Sequence, residues 1–169
     1  MVCGGRSTEP TYFRGLKKWV RNPAVKVKIA AQGVDPMKLV EHASVLDRRG
    51  EFDDVWCVVD VDEYDLTLAL KVAHDMGVKL AISNPCFEYW LLLHFQNCQA
   101  CLNGYDHVAG RLLKHLPQYD KANLRFDDFS AGVNDAVHRA KQRCPRPGIG
   151  EHQHNPSTRV WALVEAITP

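Results

Sequence analysis

The chain has 169 residues, 46% of them apolar, a length and content that suit one compact domain. Lys and Arg total 21 against 20 for Asp and Glu, so the net charge of +1 excludes the global basic field of a protein that coats nucleic acid; any such contact must be a local patch. No apolar run approaches the ~20 residues of a membrane span, and the N-terminus lacks a basic-then-apolar signal, so a soluble cytoplasmic protein without membrane attachment is expected.

Val2-Cys3 before Gly4-Gly5 reads as the end of a strand whose beginning is absent, through either a start placed too late or a first strand reduced to a stub. Residues 8–20 carry Tyr12, Phe13, Leu16, Trp19 and Val20 at helical spacing, with Thr8 as N-cap, Pro10 in the first turn and a basic outer face. Residues 25–31 alternate with period two and predict a strand. A helix follows over 37–49, with Gly50 as its stop. The unbroken apolar run 55–59 predicts a strand buried on both faces of a parallel sheet. A helix over 66–76 and a strand over 78–82 complete a strand–helix alternation that implies an α/β fold with right-handed crossovers.

Strand patterning ends at Cys86. Helices are predicted over 87–95, 105–116, 131–143 and 156–167, the last with Asn155 as N-cap and Pro156 at its first position. The chain thus reads as a single domain over 1–169, with an α/β core (1–95) and a helical extension (96–169). Its breaker-rich loops lie at 97–104 and 144–155. The six cysteines are expected to stay reduced, with Cys3, Cys57 and Cys86 as small buried hydrophobes.

Four groups of residues carry chemistry. Asp60 and Asp62 close the apolar strand 55–59, and ligands in open α/β sheets bind at the carboxyl ends of strands. If the extended backbone persists through Val61, both carboxylates share one side and repel each other unless a cation intervenes; hard oxygens suit Mg²⁺ or Mn²⁺. The bland alternative is that Asp60 caps the next helix and the other acids are solvated. Ser83 and Asn84 end the next strand, and Glu88 falls in the first turn of an apolar helix. There the helix dipole favours an acid, and a third ligand or general base would also sit. The turn from Gly4 to Glu9 with Arg6 offers backbone N–H groups and charge to a phosphate, or is an ordinary tight turn. His94, Cys98, Cys101 and His107, with Cys144, His152 and His154, are zinc-ligand types, but a single C-x-x-C has no second pair, so zinc is not expected.

The blocks Thr8-Glu9-Pro10 with Tyr12-Phe13, residues 55–62, Ser-Asn-Pro-Cys-Phe-Glu at 83–88 continuing to Phe95, Pro117-Gln-Tyr-Asp-Lys121 and Asn155-Pro-Ser-Thr-Arg-Val160 resemble the RloB-like family, a Toprim-related group of bacterial anti-phage and restriction-associated proteins. The resemblance implies a Toprim-like fold, a small and mostly parallel sheet between helices. It implies Asp60, Asp62 and Glu88 as catalytic metal ligands for Mg²⁺ or Mn²⁺. The family's usual C-E-G-E is Cys3-Gly4-Gly5-Arg6 here, which removes two acids and adds a cation; Glu9 or another acid must substitute, or the site is impaired. The implied activity is metal-dependent cleavage of DNA or RNA, with Arg6 or Lys121 as phosphate contacts and Glu9, Ser83 and Asn84 in support. At the helix start expected after Asn155, the free N–H groups, the Ser157 and Thr158 hydroxyls and the Arg159 guanidinium offer a further phosphate contact, unless Asn155 only caps a helix packed on the core. The alternative is a catalytically impaired binding or sensor partner of a defence ATPase. The oligomeric state stays open.

Overall fold

The computed structural model describes residues 1–26, 28–29, 35–46, 50, 52–61, 65–144 and 151–168, with backbone alone at 28, 29 and 151. Asp62 and the loop residues 145–150 lie outside the described residues, as do residues 27, 30 and 31 of the strand expected over 25–31 and residues 47–49 of the helix expected over 37–49, whereas Val25 and Lys26 are described and are not in a strand. Four parallel strands, β1 (Val2–Cys3), β2 (Lys28–Ile29), β3 (Val55–Asp60) and β4 (Val78–Asn84), are joined by an antiparallel β5 (Ser157–Thr158). Their order is β2-β1-β3-β4-β5. The short β1 sits between β2 and β3, with Val2 opposite Lys28 on one side and Cys57 on the other.

Because side chains alternate along a strand, β3 sends Cys57 and Val59 to one face and Trp56, Val58 and Asp60 to the other. The first face packs on α2 (Pro36–Leu46) and α3 (Thr67–Asp75) through Leu39, Val40, Ala43 and Ala73. The second is covered by α1 (Thr8–Val20), α4 (Glu88–Leu92) and α7 (Val160–Ile167), with α5 (Tyr105–Leu112) and α6 (Val133–Arg143) behind α4. An apolar strand covered on both faces is what the continuous run of β3 dictates. No helix among the described residues is long and apolar enough to cross a membrane.

α1 has the expected bounds, but Ser7 precedes it and Thr8 is its first helical residue. Both hydroxyls leave the helix: Ser7 Oγ donates to the Ala122 carbonyl and Thr8 Oγ1 to the Lys121 carbonyl, tying the start of α1 to the turn 121–123. Midway, Gly15 lets Phe126 press against the helix, since a Cβ there would collide with the ring. The helix expected over 87–95 is regular only over Glu88–Leu92 and continues as turns to Phe95.

The largest departure is at the C-terminus. Residues 157–158 form a strand, and α7 begins only at Val160. Asn155 does not cap it: its side chain accepts from the Leu102 N–H and donates to the Leu102 carbonyl, both at 2.9 Å, clamping the 97–104 loop. The Val160 N–H is instead taken by Thr158 Oγ1 at 3.2 Å.

Candidate acidic site

Three carboxylates reach one corner of the sheet from three elements. Asp60 ends β3 on the α1/α4 face, opposite Ser83 of β4. Glu88 opens α4 and is 1% exposed, and Glu9 lies in the first turn of α1, 7% exposed. The ladder continues one step past Asp60, where the Val61 N–H donates to the Ser83 carbonyl at 2.8 Å. That continuation is the extended path on which the expectation for Asp62 rests.

Gly5 makes the place for Glu9, because a Cβ at Gly5 would collide with the Glu9 carboxylate. The carboxylate takes hydrogen bonds from the N–H groups of Glu9 itself and Gly5. At Gly4 an added Cβ would lie 3.5 Å from the Val58 carbonyl oxygen and 3.7 Å from Leu39, on the α2 side of the sheet. Glu9, and not position 4, therefore adds the third acid to this corner. In sequence it carried only a supporting part; the signal was a glutamate in the first turn after a double glycine.

Two of the acids, Glu9 and Asp60, are perturbed. Burial, then the Glu9 and Glu88 charges, pushes Asp60 well above the ordinary aspartate value, against a hydrogen bond from the Phe87 N–H. Burial first, with the Glu88 charge adding to it, also raises Glu9. Asp60 Oδ1 and Glu88 Oε2 are shielded from solvent and have no hydrogen-bond partner. The other Glu88 oxygen accepts from Tyr119 Oη at 3.4 Å and pairs with Lys121 Nζ at 3.3 Å. The ammonium also lies 4.7 Å from the Tyr105 ring centroid. Burial works against the Lys121 charge, but Glu88, Asp60 and Glu9 outweigh it and its pKa is raised.

The remaining site residues sit around this corner with other tasks. Ser83 Oγ and Thr158 Oγ1 bond each other at 2.9 Å, both buried, so the Thr158 hydroxyl is engaged inside the protein. Ser157 is buried in β5, and Asn84 donates to the His152 carbonyl at 2.7 Å. The Arg159 N–H donates to the Ile82 carbonyl at 2.7 Å, while its side-chain Nε is buried without a partner. β5 thus runs along the carboxyl end of β4, at the same edge as Asp60. Arg6 is exposed and forms no ion pair with a described residue. His94 belongs to the core, with Nε2 on Tyr12 Oη and Nδ1 on the Trp90 carbonyl, each at 3.0 Å.

Among the described residues, no three His, Cys, Asp or Glu side chains are assembled as a group able to hold a metal. The donor chemistry nevertheless fits a hard divalent cation: only carboxylate oxygens, two of them buried and unpartnered. A mostly parallel α/β sheet with buried acids at its carboxyl edge defines an α/β protein with an acidic strand-end site. The family model described as RloB-like protein matches residues 1–167, and the chain belongs to that family. Comparisons with curated proteins and with solved structures gave no match.

Proposed function

We propose that the protein is a metal-dependent nuclease-type enzyme, working in a bacterial anti-phage or restriction-associated system, whose acidic corner binds Mg²⁺ or Mn²⁺ beside a DNA or RNA phosphodiester. The observation that carries this reading is the pair of buried, unpartnered oxygens on Asp60 and Glu88. A desolvated carboxylate oxygen without a donor is costly, and a hard cation offsets that cost while suppressing repulsion between the acids. Asp60 and Glu88 would hold the ion, with Glu9 and Asp62 completing the donor set. When bound, it supplies positive charge to a phosphodiester oxygen and lowers the pKa of a water. Lys121, released from Glu88 by the incoming charge, has the reach and exposure to meet a substrate phosphate. Tyr119 keeps Glu88 oriented through its hydroxyl.

The test is a nuclease assay of purified protein on DNA and tRNA with Mg²⁺ and Mn²⁺, run beside Asp60→Asn. Cleavage lost in the variant supports the reading; cleavage equal in both, or in neither, overturns it. A second reading, a non-cleaving partner or sensor for a defence ATPase, is favoured by one arrangement: an ammonium already neutralises Glu88, and Gly4 and Arg6 stand where the family's acids are expected. Absence of cleavage together with ATPase capture would select it.

A further inference from the structure

We infer that the outer face of α1 is a docking surface for the phosphate backbone of a single nucleic-acid strand; the inference rests on the nuclease reading and extends it to how substrate is held. α1 and the residue after it carry Arg14, Lys17, Lys18 and Arg21. At 100° per residue Arg14, Lys17 and Lys18 fall on the side of the helix away from the buried Tyr12 and Leu16, and Arg21, the left-handed residue that ends the helix, lines the same cleft. The only acid of the helix, Glu9, is turned into the corner of the sheet. Arg14 and Lys18 are a like-charge pair at i,i+4, an unfavourable arrangement that an external anion relieves.

Four cations elsewhere in the protein are paired. Lys79, Lys121, Arg139 and Lys141 each pair with a carboxylate, on Asp54, Glu88, Asp135 and Glu165 respectively. Among the described residues, the four on α1 have no such partner. The helix dipole favours Lys17 and Lys18 in the last turn but fades within it, so it does not account for Arg14. With Asn22 and Pro23 the four line a shallow cleft of about 280 Å³. In a chain of net charge +1, this is a concentrated positive strip.

The strip is also placed for the site. α1 begins at the acidic corner, and at ~1.5 Å per residue Arg14 is about 7 Å along the axis from Glu9 and Arg21 about 18 Å. The strip from Arg14 to Arg21 therefore spans about 10 Å, room for more than one phosphate of an extended strand. A strand lying on it leads toward Lys121, whose carbonyl is bonded to Thr8 at the other end of the helix.

The test uses fluorescence anisotropy of labelled single-stranded DNA and RNA oligonucleotides in EDTA, with the parent, Lys141→Ala as a control at a cation paired with Glu165, and the triple variant Arg14→Ala, Lys18→Ala, Arg21→Ala. The triple variant should bind at least about tenfold more weakly, with a salt slope reduced by about two, since each single-strand phosphate contact contributes ~0.7. Its melting temperature should be unchanged or higher, and Lys141→Ala should bind as the parent does. Normal oligonucleotide binding without any cleavage would remove the nuclease reading and leave the docking face standing. The inference is overturned if the triple variant keeps the parent's affinity and slope, if the parent binds no oligonucleotide, or if it prefers phosphatidylserine vesicles to the oligonucleotides.

Discussion

Two buried polar sites flank α4, and they are built on opposite principles. His94, just beyond its end, is 5% exposed and has both ring nitrogens bonded within a cage that includes Tyr12, Trp90 and Phe129. Glu88, at its start, is equally buried yet keeps one oxygen without a partner, next to Asp60 in the same condition. Burial of a titratable group alone is thus no sign of function. A satisfied group contributes to a unique core, whereas a buried carboxylate oxygen without a donor is the feature on which the proposed cation site rests.

The largest expected effect separates the two sites by activity. Asp60→Asn should lower metal-dependent cleavage at least about a hundredfold, while the metal-free protein melts at the same temperature or higher, because a desolvated charge is gone. A variant that loses activity only by unfolding would erase the distinction. His94→Ala should do the reverse, sparing metal affinity and costing about 3 kcal/mol through a cavity and the stranded Tyr12 hydroxyl. Chemical denaturation alongside the cleavage assay reads both.

The sites also differ in the sign of their response to pH. Burial first lowers His94 from 6.5 to about 4, so the unfolded chain takes up that proton earlier. Its contribution is lost as pH falls from about 6.5 to 4, by about 3 kcal/mol in all. Glu9 and Asp60 are raised, from 4.5 and 3.8. The folded state then holds their protons longer, and their contribution is lost as pH rises from about 4 through the raised values. Stability curves of metal-free His94→Gln and Asp60→Asn should therefore diverge from the parent in opposite directions between pH 4 and 6.5. Curves that shift together would show one site where two are described.

How much of this was legible in the sequence follows from the same contrast. β3 and Asp60 could be read because a continuous apolar run has one good solution, a covered parallel strand, and its first polar residue must emerge at the edge. Glu88 followed from its place after β4. Glu9 as a full member of the corner did not, because its carboxylate depends on the room that Gly5 leaves, which is a tertiary fact. Residues 157–158 gave no strand pattern: two residues cannot show a period, and their strand exists only because β4 offers an edge. Asn155 carried a capping residue's chemistry, but its amide found the Leu102 backbone, a partner 53 residues away.

Smaller effects sharpen the picture. Asn155→Ala should cost about 1–2 kcal/mol in thermal unfolding through the freed Leu102 groups, with no change in metal affinity. Lys121→Met should destabilise the metal-free protein by up to about 3 kcal/mol, since Lys121 is half exposed but Glu88 is buried and would lose its cation. Magnesium should raise its melting temperature by more than the parent's, because Glu88 no longer shares its charge. An equal rise in both would show that Lys121 does not compete with the cation.

The most direct measurement is calorimetric titration of Mn²⁺ into the parent and Asp60→Asn at neutral pH. The account expects saturable binding to the parent and at least about tenfold weaker binding to the variant. A parent that binds no Mn²⁺, or a variant that binds it equally well, would contradict the assignment of the acidic corner as a cation site.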